Sequence, residues 1–103
     1  MDIRAEVEKG NPFYRGHMRL GEYHYRLDNL SVTETNGDHI FNANVVGPLR
    51  ENADTNRIVG SISITVMRHE GIWIGDCELT MTEGGYEGEY RVLLDMLPPR
   101  QRR

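Results

Sequence analysis

Between Arg57 and Leu97 the chain alternates apolar and polar residues at period two, in three segments joined by short glycine-containing turns. The first sets Ile58, Ile62, Ile64 and Val66 on one side against Ser61, Ser63 and Thr65. The second sets Trp73, Cys77, Leu79 and Met81 against Ile74, Asp76, Glu78, Thr80 and Thr82. The third sets Tyr86, Tyr90, Val92, Leu94 and Met96 against Glu87, Glu89, Arg91 and Asp95. Successive side chains on a strand point to opposite faces, so each segment predicts a strand with one face buried, and short connections between them predict an antiparallel meander.

The amino-terminal half continues the pattern. Residues 3–9 read as a short edge strand or a frayed helical turn, with strand preferred, closed by Gly10-Asn11-Pro12. Tyr14, Gly16, Met18 and Leu20 alternate with Arg15, His17 and Arg19, and after the bend at Gly21 the residues Tyr23, Tyr25 and Leu27 alternate with His24 and Arg26. Leu30 and Val32 then occupy the parity that His24 and Arg26 held, which predicts a bulge near Asp28-Asn29, because one inserted residue returns the apolar set to the inside. Asn36-Gly37 supplies the positive φ angles of a tight hairpin turn. The next strand turns Phe41, Ala43 and Val45 inward and stops at Gly47-Pro48, since proline cannot donate to a ladder. Residues 49–56 have no apolar face and read as a surface loop.

Six or seven sequential strands must hide their edges. The expected architecture is all-β: a small closed barrel built as a twisted antiparallel meander, with a two-sheet sandwich as the alternative. A chain of 103 residues fits one domain with one core. That domain is expected over residues 1–97, followed by a basic, flexible tail over residues 98–103.

Charge and composition narrow the function classes. A formal net charge of −4 argues against a general nucleic-acid binder, which needs cations to displace counterions from phosphate. The single cysteine permits no intrachain disulfide. The first nine residues are charged throughout, and there is no membrane-spanning run. Cytoplasmic residence, with no membrane association, is the expectation.

No motif for a cofactor, a metal or catalysis stands on this frame. Cys77 falls on the inward face, Ser61 and Ser63 lack the turn that activates a nucleophile, and the glycine-rich residues 83–88 lack a following helix and lysine. The expectation is therefore a non-enzymatic accessory or inhibitory module that binds a protein partner through charged strand faces. Asp76, Glu78, Glu87 and Glu89 would form an acidic contact surface, and Arg15, His17, Arg19, His24 and Arg26 a second, basic one. Two alternatives rest on other residues. Tyr23, Tyr25, Trp73 and Tyr90, all on predicted inward faces, could line a pocket for a small hydrophobic ligand. His17 and His24, flanking the Gly21 bend, could converge with Glu22 or Asp28 on a metal in an enzyme, although their spacing matches no metal motif. A homodimer could also form through an unpaired edge strand.

Overall fold

The computed structural model describes residues 2–10, 14–48, 57–82 and 87–97. Seven strands account for most of them: β1 (Asp2–Glu8), β2 (Tyr14–Leu20), β3 (Tyr23–Thr35), β4 (Asp38–Val46), β5 (Ile58–His69), β6 (Ile72–Met81) and β7 (Gly88–Leu97). They form one closed barrel in chain order. Every consecutive pair is antiparallel, and the barrel is shut by a parallel pairing of β1 with β7, from Asp2 opposite Arg91 to Glu8 opposite Leu97. The all-β barrel read from the sequence is thus the observed architecture, and the sandwich alternative falls away. The expected loop 49–56, Tyr86 and the basic tail 98–103 lie outside the described residues.

Closure has two consequences. Each strand has a neighbour on both sides, so the edge-strand dimer has no free edge to use. The rows of paired residues also climb as they circle the barrel: from Tyr23 through Leu20, Ile3, Val92, Gly75, Val66 and His39, the path returns to β3 at Glu34 and not at Tyr23. Such a stagger tilts the strands against the barrel axis, as closure of a small barrel requires.

Local sequence explains the irregular points. Between Asp28 and Ser31 the β3–β4 register slips, and Asn29 takes a φ of 53°. Leu30 is consequently buried, as the phase change in the sequence requires. Asn36 and Gly37 have φ values of 52° and 86°, and Glu70 and Gly71 repeat the pattern at 52° and 83°, the geometry that matches the right-handed twist of paired strands. A second bulge, where the β4–β5 register shifts between Val45 and Val46, was not foreseen. It corrects the expectation for Ile58, which is 56% exposed while Val59 is buried in its place. Thr82 fastens the far end of β6 to this bulge, donating from both its amide and its Oγ1 to the Val59 carbonyl at 2.7 and 3.0 Å.

The interior is filled by apolar side chains from all seven strands, with Ile3, Met18, Leu20, Phe41, Ile64, Leu79 and Leu94 among the fully enclosed. Among the described residues no polar or charged residue is buried. Tyr25 joins this core, and Tyr14, Trp73, Tyr90 and Met96 pack half-buried against it. Tyr23 does not: at 42% exposure it corrects the expectation that it faces inward. The barrel is flattened, with extents of 38 × 34 × 20 Å, so it offers broad outer faces and a thin, packed interior.

Candidate functional site

The chemistry lies on the outside, where the pairing register sorts it into rows. One row runs Glu89, Glu78, Ser63, Asn42, Ser31 across β7, β6, β5, β4 and β3. The next runs Asp2, Arg91, Asp76, Thr65, Ile40. The acidic residues singled out in the sequence are brought together here. Asp76, Glu78 and Glu89 are exposed and line one shallow groove with Ser63, Thr65 and Arg91. Glu87 is exposed immediately before β7 begins.

Glu78 and Glu89 stand directly opposite each other in the β6–β7 pair. Side chains so placed have Cβ atoms about 5 Å apart, and two like charges there oppose folding by a few tenths of a kcal/mol or more. The cation nearest in register, Arg91, faces carboxylates on both sides, Asp76 and Asp2. The groove thus keeps an acidic excess at Glu78 and Glu89.

The basic surface is more broken up than expected, because closure inserts β1 between the early and late strands. Glu6 faces His17 and Glu8 faces Arg15, while Arg4 faces Arg19, which in turn faces His24. Arg26 is engaged along its own strand: its Nε and Nη2 donate to the two Asp28 carboxylate oxygens at 2.7 and 3.0 Å. That two-pronged hydrogen bond from Arg26 holds the Asp28 carboxyl below its usual range. Charge is therefore interleaved over β1–β3, and a cleanly two-faced molecule is not what the fold builds.

The alternatives fare differently from the acidic face. Among the described residues no three histidine, cysteine, aspartate or glutamate side chains are grouped so as to hold a metal ion. His17 and His24 do share a groove, with Arg4, Glu6, Arg19 and Asp95. Tyr23, Tyr25, Trp73 and Tyr90 do not gather round a common cavity: Tyr25 is core, Tyr23 is exposed, and Tyr90 borders the outer groove of Asp76 and Glu78. Phe41, Met18 and Leu94 are enclosed in the interior.

Cys77 is buried between β5 and β7 partners Ile64 and Tyr90. Burial pushes its thiol up to about 11, Asp76 adds to the shift, and a backbone hydrogen bond with Tyr90 opposes it. The expected result of thiol labelling is native Cys77 reacting at least about 100-fold more slowly than the urea-unfolded chain, because so little thiolate is present at neutral pH. Equal rates would contradict this placement.

Two features escaped the sequence reading. His39, just past the Asn36-Gly37 turn, is mostly enclosed: its Nε2 lies 2.8 Å from Glu34 Oε1, its ring centroid lies 4.4 Å from that of Trp73 in a T-shaped contact, and its Nδ1 is buried with no hydrogen-bond partner among the described residues. Its odd-numbered parity, shared with Phe41, was the available signal. The other is an exposed apolar row, Met67, Ile74 and Leu93, adjacent on β5, β6 and β7. Met67 is 54% and Ile74 40% exposed, and Leu93 is half-buried.

No helix among the described residues is long and apolar enough to cross a membrane. No family model matches the chain, and neither a curated protein nor a solved structure is significantly similar to it.

Proposed function

We propose that this chain is a non-enzymatic protein-binding module, of accessory or inhibitory type and cytoplasmic residence, that presents Asp76, Glu78, Glu87 and Glu89 to a basic surface of its partner. The observation that carries the reading is the direct opposition of Glu78 and Glu89, with the nearest cation in register, Arg91, set between Asp76 and Asp2. Two carboxylates held against their mutual repulsion gain most from a lysine or arginine placed between them, so binding relieves what folding leaves unfavourable. The flanking hydroxyls of Ser63 and Thr65 add hydrogen-bonding groups that any orientation of that cation can use.

Charge reversal at the opposed pair tests this. Immobilised E78K/E89K is expected to recover the partner with affinity reduced at least about tenfold relative to the unaltered chain, and binding of the unaltered chain should weaken steeply with salt. Both positions are solvent-facing, so the variant's melting temperature should change little. Equal recovery of the same partner by both proteins would refute the proposal.

A further inference from the structure

The groove over β7, β1, β2 and β3 sorts its charges into two rows. Leu93, Arg4, Arg19 and His24 follow one another in register in the first, and Asp95, Glu6 and His17 do so in the second, two residues along each strand. Arg4 thus stands directly opposite Arg19, and Glu6 directly opposite Asp95, so like charges face each other within each row, an arrangement that opposes folding. All seven side chains line one groove of about 460 Å³, the size of a site for a small molecule. The six polar ones are exposed, and among the described residues neither arginine lies within ion-pair distance of a carboxylate, Glu6 and Asp95 included. Two residues of strand rise set the rows about 7 Å apart.

We infer that this groove binds a small aliphatic zwitterion, an ω-amino carboxylate whose carboxylate sits between Arg4 and Arg19 and whose ammonium sits between Glu6 and Asp95. A simple anion attracted to the arginines meets the two acids in the same groove, and a simple cation meets the arginines. A ligand carrying both charges at the row spacing relieves both like-charge pairs at once. The forked donors of two arginines suit a carboxylate, and an ammonium suits a pair of carboxylates. Leu93, half-buried beside Arg4, gives the methylene chain an apolar wall, and the rings of His24 and His17 offer hydrogen-bonding nitrogens on the β2–β3 side. An α-amino acid, whose charges are only a few bonds apart, is too short to reach from one row to the other. The site shares no residue with the groove of Asp76, Glu78 and Glu89, so it is independent of the basic-partner reading.

Titration of the isotope-labelled full chain with δ-aminovalerate, followed through its amide NMR signals, tests this. Saturable shifts should be confined to β1, β2, the start of β3 and the end of β7, with a dissociation constant at or below about 1 mM. Valerate, which lacks the ammonium, pentylamine, which lacks the carboxylate, and glycine, whose charges are too close, should each bind at least about tenfold more weakly. R4Q/R19Q and E6Q/D95N should each weaken δ-aminovalerate at least about tenfold while the melting temperature changes little, because all four side chains face water. E78K/E89K should bind it unchanged, which separates this test from that of the basic partner. No saturation up to about 20 mM, any of the three control molecules binding as tightly, or unchanged affinity in either double variant would overturn the inference.

Discussion

Replacing Gly75 by alanine is expected to destabilise the barrel by at least about 3 kcal/mol, a large share of the roughly 5–15 kcal/mol available to a domain of this size. Gly75 sits at an inward-parity position of β6, opposite Val66 on β5 and Val92 on β7. A Cβ there would lie 1.9 Å from the Thr65 carbonyl oxygen and 2.8 Å from the Val66 Cα. Both are backbone atoms of the neighbouring strand, so no rotamer change makes room and the β5–β6 ladder itself must part. Gly60 on β5 is placed in the same way, with 2.0 Å to the Thr80 carbonyl oxygen. These two glycines let the long hairpin of β5 and β6 coil tightly enough to close a seven-stranded barrel. Urea unfolding of Gly75→Ala gives the number directly. A loss below about 1 kcal/mol would mean that the two strands are not in such close approach.

Phe41→Ala is expected to cost about 3–5 kcal/mol. Phe41 is fully enclosed and stands in register between Val32 and Ile64, in a row that continues through Cys77 to Tyr90. The truncation loses the transfer energy of a large ring and leaves a void that side chains from both sides of a flattened barrel cannot fill without moving their strands. Asn42→Ala, one residue along and facing water, should change stability by no more than about 0.5 kcal/mol. The contrast between neighbours is the informative part. Equal effects at 41 and 42 would mean that β4 does not alternate as described.

What could be read from the sequence was whatever follows from period two. The inward set of β6, Cys77, Leu79 and Met81, and the outward set Asp76, Glu78 and Thr80 follow from parity alone, and so does the bulge at Asn29, where parity slips. The Val45–Val46 bulge left no comparable trace, because Ile58 and Val59 are both apolar and either could be the inward residue. Tyr23 lies next to a turn, where an inward parity still leaves a ring in solvent. Grouping residues across strands needs the pairing register, which local pattern does not carry. Thus the acidic residues were found but not the opposition of Glu78 with Glu89, and Ile74 was placed outward without Met67 and Leu93 beside it. Nor could local pattern reveal the parallel β1–β7 closure, which seats Glu6 and Glu8 against the basic strand β2 and breaks up the cationic face.

The proposed contact surface lies on the outside of β6 and β7, and the enclosed apolar side chains serve stability. Carbodiimide labelling of carboxylates, with and without the bound partner, tests this most directly, because each acid reports its own accessibility. Binding should protect Asp76, Glu78 and Glu89 at least severalfold while Glu6 and Asp95 label at unchanged rates. Protection of Glu6 and Asp95 with Glu78 and Glu89 still open would contradict it.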